Sequence, residues 1–281
     1  MREIRTTLRE ALLAGGAVLR ECFGRVTYRL KGRANLVTAA DLRSQKKVIS
    51  VILKSFPGHA ILAEESARPP GRGQRAGHTA ADGGGPLWVI DPLDGTTNYA
   101  HTFPAAAVSI AFVDGGRVLA GGVMDPFRGE MFTAERGRGS SLNGRRIRVS
   151  SADALSRALL VTGFPYDRAE KAGFYCSFIE KFIKLSHDVR RMGSASLDLA
   201  WLACGRTDGY WEFGLKPWDV AAGSPLVEEA GGLITDFSGR PWKAVADYGR
   251  QLLATNRKIH AEMLSVLGGA GRKRRPRARG A

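Results

Sequence analysis

Apolar and polar positions alternate along the chain with two different periods. Ile4, Leu8, Leu12, Leu19 and Phe23 fall at helical spacing, with Arg5, Arg9, Arg20 and Glu21 between them, so the chain is expected to open with an amphipathic helix that stops near Gly24. A second helix is expected from about Asp41, placed to cap it, through Val48, Ile49, Ile52 and Leu53 to the Phe56-Pro57-Gly58 break. The period then shortens. Residues 59–63, 87–90, 106–113 and 118–124 read as strands, the last two joined at Asp114-Gly115-Gly116 into an antiparallel meander.

Beyond about Ser150 the pattern changes. A strand at 158–162, helices at 174–185, 194–204 and 219–230, and strands at 209–213 and 232–235 alternate as in an α/β unit. The expected organisation is an N-terminal α+β half over residues 1–150, a C-terminal α/β half over 151–267, and a basic low-complexity end over 268–281. Residues 66–86, rich in glycine and proline, read as a surface loop.

Composition narrows the class. With 44% hydrophobic residues in 281, the chain can close a sizeable core without staples. Cys22, Cys176 and Cys204 have neither zinc-ligand nor redox-pair spacing and read as reduced thiols of a cytoplasmic protein. No apolar run reaches membrane-span length, and the nine-residue stretch 11–19 lies between Glu10 and Glu21, so neither a membrane anchor nor a signal peptide is expected. The net charge is +15, of which Arg272, Lys273, Arg274, Arg275, Arg277 and Arg279 carry six. Charge of this kind gives only salt-sensitive, non-specific affinity for nucleic acid, so the tail reads as a solubilising end rather than a binding element.

The chemistry concentrates at element ends. Asp91-Pro-Leu-Asp94-Gly-Thr-Thr-Asn98 follows the strand ending at Ile90, and brings two carboxylates and a turn of exposed amides to one place. A lone Asp-x-x-Asp would more often be a helix cap. Glu64 and Glu65 at another strand end and Asp219 after Trp218 add further acids, a set suited to hard cations ~4 Å apart in phosphoryl transfer. The five histidines share no metal-like spacing, and Trp88 and Trp218 read as packing behind the acids.

Ala63-Glu-Glu-Ser66, Trp88-Val-Ile-Asp-Pro-Leu-Asp-Gly-Thr-Thr-Asn98 and Trp218-Asp-Val-Ala-Ala-Gly223 resemble, in order and spacing, the three defining motifs of the inositol monophosphatase family. Leu36-Val-Thr-Ala-Ala-Asp41 and Arg190-Arg-Met-Gly-Ser-Ala195 extend the resemblance to about Leu267. It implies a layered α-β-α-β-α sandwich, usually a homodimer, and two or three Mg2+ ions. By this resemblance Glu64, Asp91 and the Leu93 carbonyl hold one ion, and Asp91, Asp94 and Asp219 hold a second. Glu65 then stands beside the site as a supporting or third-metal carboxylate. Thr96, paired with Asp41, orients the attacking water, and the amides of Gly95 and Thr96 hold the phosphate. Asp94, Gly193, Ser194, Ala195 and Glu212 face the substrate hydroxyls.

The chain departs from the family's commonest pattern in having Ala63 before the paired glutamates. The lysine expected ahead of Leu36 corresponds to Lys31.

The expected activity is hydrolysis of a small polyol phosphomonoester, myo-inositol 1-phosphate above others, by in-line attack of metal-activated water. Such lithium-sensitive phosphatases need no enzyme nucleophile. Rivals within the same chemistry are phosphatases for fructose 1,6-bisphosphate, NADP, histidinol phosphate or adenosine bisphosphate. Glu212 favours a polyol, since a carboxylate accepts bonds from neutral hydroxyls and repels a second phosphate. A rival of another class is an RNA-associated transcription accessory protein, because a bacterial branch of the family that this chain resembles has such a role.

Overall fold

The computed structural model describes residues 1–25, 27–30, 36–66 and 84–268. Lys31, most of the glycine-rich segment and the basic tail beyond Gly268 lie outside the described residues. The first half runs α1 (Arg2–Cys22), β1 (Tyr28–Leu30), β2 (Leu36–Thr38), α2 (Ala39–Ser55), β3 (Ala60–Ala63), β4 (Leu87–Asp94) and α3 (Thr96–Ala100), followed by a meander. The meander is β5 (Ala107–Asp114), β6 (Arg117–Asp125), β7 (Glu130–Glu135), β8 (Gly139–Leu142) and β9 (Arg145–Arg146). The second half runs β10 (Leu159–Thr162), α4 (Arg168–Leu185), β11 (Asp188–Arg190), α5 (Ala195–Ala203), β12 (Gly209–Phe213), α6 (Pro217–Val220), α7 (Gly223–Glu229), β13 (Leu233–Thr235), β14 (Gln251–Thr255) and α8 (His260–Gly268).

Strands β3 to β9 form one seven-stranded sheet in chain order, antiparallel except for the parallel β3–β4 pair. The second sheet has the order β11-β10-β12-β14-β13, and β1–β2 is a small antiparallel pair. Side-chain alternation sorts each strand between two cores. Leu87 and Val89 join the core between the two sheets, whereas Trp88 and Ile90 join the one beneath α1 and α2. Tyr210 and Ala254 face the same central core, while Trp211 and Leu253 face Phe178, Phe182 and Met263 of α4 and α8. The layers are therefore α1/α2, sheet, α5/α6/α7, sheet, α4/α8, the expected sandwich.

The central helices approach the first sheet as closely as backbone allows. A Cβ at Gly121 of β6 would stand 2.5 Å from the Ala222 carbonyl oxygen and 2.8 Å from Pro225 Cγ. Only a residue without a side chain lets β6 touch the segment that follows Asp219.

Three local expectations are corrected. Asp41 does not cap α2: Thr38 is the N-cap, its Oγ1 accepting from the Ala40 amide, and Asp41 sits at the third helical position, its Oδ2 accepting from the Thr38 amide (2.8 Å) and hydroxyl (2.6 Å). The helix expected over 219–230 is two helices, because Pro225 has no N–H to bond the Ala221 carbonyl. Strands β7 to β9 were not foreseen, although Asn143-Gly144, both at positive φ, is a hairpin signal. Among the described residues no helix is long and apolar enough to cross a membrane, and the three cysteines are free thiols.

Replacing Gly121 with alanine is expected to overpack the β6–α7 contact and destabilise the protein by about 1–3 kcal/mol. The urea midpoint should fall. An unchanged midpoint would mean that α7 is not seated on β6 as described.

Candidate active site

β4 is buried along its whole length and ends in a register shift between Asp91 and Asp94, which turns both carboxylates toward one cleft. The parallel pairing of β3 places Ala63 beside Ile90, so Glu64 emerges next to Asp91. Ser44 of α2 secures the bulge by donating to the Pro92 carbonyl (2.8 Å). From the second half, α6 starts at Pro217 and carries Asp219, whose Oδ2 accepts from the Lys216 amide (2.7 Å).

These elements line a cleft of about 430 Å³ whose walls include Glu64, Asp91, Leu93, Asp94, Asp219 and Glu212. Asp91 is only 2% exposed, and its pKa is raised well above the ordinary carboxylate value, first by burial and then by Glu64, Asp94 and Asp219. Burial also raises Asp94 and Asp219, Asp94 being restrained by its serine hydrogen bonds. The leading charges acting on Asp91 are acidic, and oxygen-only donors of this kind suit a hard divalent cation. Asp94 commits Oδ2 to the Ser194 hydroxyl (2.7 Å), the Ser196 amide (2.7 Å) and the Ser196 hydroxyl (2.5 Å), and Asp91 Oδ1 accepts from the Leu93 amide (3.0 Å). As they stand, no three described acidic, histidine or cysteine side chains close tightly enough on one point to hold an ion. The donor chemistry nevertheless fits: Asp91, Asp94 and Asp219 each keep a second oxygen beyond the bonds just described.

The turn after β4 supplies the amides. Gly95 has φ +88°, and a Cβ there would stand 2.8 Å from the Ala105 carbonyl, so this turn needs glycine. It leads into α3, leaving Gly95, Thr96 and Thr97 on the cleft wall. Thr96 Oγ1 lies 3.0 Å from the Leu93 carbonyl and 3.2 Å from Asp41 Oδ1, so one hydroxyl proton is shared between them. Asp41 is fully buried behind it. Asn98 then ties the turn to the second half by donating to the Met192 carbonyl (2.8 Å).

Gly193, Ala195 and Glu212 also line the cleft. Ser194 lies beneath, bonded to Asp94, and Glu65 shares the turn of Glu64 without lining the cleft. Glu212 is buried, and its carboxylate lies directly over Gly163. Burial pushes its pKa up to about 7, against the Tyr210 hydroxyl that donates to it (2.5 Å) and the Arg191 charge, both of which favour ionisation.

Sequence reasoning passed over Tyr166, Arg168, Arg191 and Lys216 on the rim. Tyr166 is 56% exposed as a residue, but desolvation of its hydroxyl, followed by the charges of Glu64 and Asp219, raises its pKa. The signal for this loop was its place after β10, at a strand's carboxyl end, where α/β sheets bind ligands. The described histidines stay outside the cleft: Trp88 donates to His59 (3.1 Å), and His260 is held by Thr235 and Thr255.

The Inositol monophosphatase family model matches residues 1–270. An inositol-1-monophosphatase of Synechocystis sp. is 43% identical over 260 residues, covering 92% of this chain and 86% of its own. A Nus factor SuhB of Pseudomonas aeruginosa is 44% identical over 236 residues, covering 83% and 84%. The solved inositol monophosphatase of Anabaena (Nostoc) sp. superposes with a TM-score of 0.79 at 42% identity, covering 95% of this chain and 96% of the other.

Glu212 ionises near 4.5 when unfolded and near 7 when folded, so the native state holds the extra proton between those values. The stability this confers is complete below about pH 4.5 and is lost as pH rises through 7. In chelator, Glu212→Gln should remove that loss, gaining on the order of 2–3 kcal/mol over the parent between pH 4.5 and 8 in urea unfolding. Parallel pH profiles for the two proteins would count against a raised Glu212.

Proposed function

Because this chain belongs to the inositol monophosphatase family, we propose that it is a magnesium-dependent phosphatase of small polyol phosphomonoesters, with myo-inositol 1-phosphate the favoured substrate. The observation that carries the reading is the meeting of four acids from three element ends with the buried Glu212 in one cleft. Glu64, Asp91 and the Leu93 carbonyl would hold one ion, and Asp91, Asp94 and Asp219 a second, with Glu65 nearby to support them or help hold a third. Magnesium, when bound, supplies Lewis-acid stabilisation of charge on the phosphoryl and leaving oxygens.

The protein's own groups do the rest. The Thr96 hydroxyl, held between Asp41 and Leu93, would accept a hydrogen bond from the attacking water and relay its proton toward Asp41. The Gly95 and Thr96 amides would bind phosphate oxygens at the start of α3. Glu212 and the Gly193-Ser194-Ala195 segment, anchored to Asp94, would meet the substrate hydroxyls. Arg191 and Arg168 also line the cleft and would be available to a second anionic group, which keeps fructose 1,6-bisphosphate and adenosine bisphosphate among the substrates to be tested. A homodimer working in the cytoplasm and inhibited by lithium completes this reading.

The name of the Pseudomonas aeruginosa relative favours a second role, in transcription. Binding of RNA by the full chain, and its loss on truncation after Gly268, would assign that role to the basic tail.

Phosphate release from inositol 1-phosphate, fructose 1,6-bisphosphate, histidinol phosphate, NADP and adenosine bisphosphate should be greatest for the first and vanish in chelator. Turnover that persists in excess chelator would sink the metal-dependent reading. Asp94→Asn keeps an oxygen for Ser194 and Ser196 while removing the charge, so turnover should drop by at least about 1000-fold. Metal-free stability should rise, since one like charge leaves the cluster. Near-parental activity in this variant would remove Asp94 from the site.

A further inference from the structure

A second concavity lies away from the acidic cleft. About 610 Å³ of space lies between the exposed face of α1 and the β7–β9 edge of the first sheet, lined by Arg2, Arg5 and Arg9 from the helix and Arg138 and Arg146 from the strands and turn opposite. Glu135 is the sole acid in its walls, and it serves two of the five arginines, Arg5 at 3.3 Å and Arg138 at 3.8 Å. Among the described residues, Arg2, Arg9 and Arg146 stand in no ion pair.

This arrangement is costly on its own. Arg2 and Arg5 lie one turn apart, and Arg5 and Arg9 lie at i,i+4, so the stripe repels itself. Arg2 and Arg5 also occupy the first turns of α1, where the helix dipole disfavours positive charge. The core contacts of α1 do not use these arginines: the α1 side chains that enter the core include Ile4, Leu8, Ala11, Leu12 and Leu19.

We propose that this groove is a binding site for a compact polyanion carrying two or more linked phosphate groups, separate from the acidic cleft. Guanidinium forks approaching from two sides bind adjacent phosphates in bidentate fashion, and the net surplus of four positive charges in the walls calls for more than one anionic group. The volume is that of a small-molecule site. No aromatic side chain lines it, so there is no platform on which an unstacked nucleobase would rest, and phosphate rather than base is the recognised element. The proposal does not depend on the phosphatase reading.

Titration of the full chain with inorganic tripolyphosphate in metal-free buffer, followed by calorimetry, is the direct test. The parent and Asp94→Asn should bind equally, while Arg9→Ser/Arg146→Ser should lose at least about tenfold in affinity. Both replaced side chains are exposed, so the double variant should fold and keep the parental rate of monoester hydrolysis. Equal affinity in the double variant, or loss of binding in Asp94→Asn, would overturn the proposal. Arginine-dependent binding of a mixed-sequence RNA oligonucleotide without binding of tripolyphosphate would overturn it too, and give the groove to nucleic acid.

Discussion

A carboxylate that is 2% exposed and faces three other acids is the constraint on which this molecule is arranged. Burial and like charge both oppose the ionisation of Asp91. The surrounding framework does not relieve that repulsion with basic partners at Asp91. It fixes the acids in place: the Leu93 amide holds Asp91, three donors from Ser194 and Ser196 hold Asp94, and the Lys216 amide holds Asp219. Each of these hydrogen bonds is supplied by backbone or hydroxyl, so none cancels the negative field that a divalent cation would meet. The result is a site whose electrostatic cost is stored in the fold, and which the proposed cations would offset.

Holding acids from both halves near one another sets demands on the layers. Asp91 and Asp94 hang from the first sheet, whereas Asp219 rides on α6 in the central helical layer, so error in the sheet-to-helix distance passes directly into the site. The contact at Gly121 makes that distance as short as two backbones permit. Asn98 and the Asp94–α5 bonds add polar ties across the same boundary. Tyr99, one residue beyond Asn98, donates to the Leu19 carbonyl at the far end of α1 (2.5 Å), which fixes α3 from the outer layer as well. The phosphate-facing turn is thereby gripped from both sides of the sheet.

What could be read from the sequence follows this division between local and distant causes. The acidic end of β4, the Gly95 turn and the helical period of α1 are local patterns, and each stands where it was expected. Asp41 was legible as a residue at a helix start, but not in its proper position there, because Thr38 and Asp41 are both competent caps and only backbone geometry distinguishes N-cap from third position. Its contact with Thr96, 55 residues away, came into view only through family resemblance. Tyr166 and Arg191 lie on loops with no periodicity and Arg168 opens α4, and their convergence is a product of sheet topology. The helix break before α7 was avoidable, since Pro225 was in plain sight.

The wall opposite the metal-type acids completes the logic of selection. Glu212, Tyr210 and Asp198 form a second buried acidic group, and Asp198 lies at 1% exposure with its pKa raised well above normal, first by burial and then by Glu212. Its Oδ1 has no hydrogen-bond partner, so nothing there offsets the burial and the Glu212 charge that oppose its ionisation. Glu212 itself responds to burial, the Tyr210 hydroxyl, Arg191 and Asp94. A neutral hydroxyl donating to Glu212 stabilises its ionised form, whereas a phosphate oxygen at the same point can only be accepted by a protonated one. On the proposed reading, a monophosphorylated polyol and a bisphosphate would meet different protonation states of a single residue, and the pKa of about 7 places that choice in the neutral range. On that reading, substrate preference at this wall would be coupled to pH through Glu212, while phosphate held by the backbone amides of the Gly95 turn would not depend on that proton.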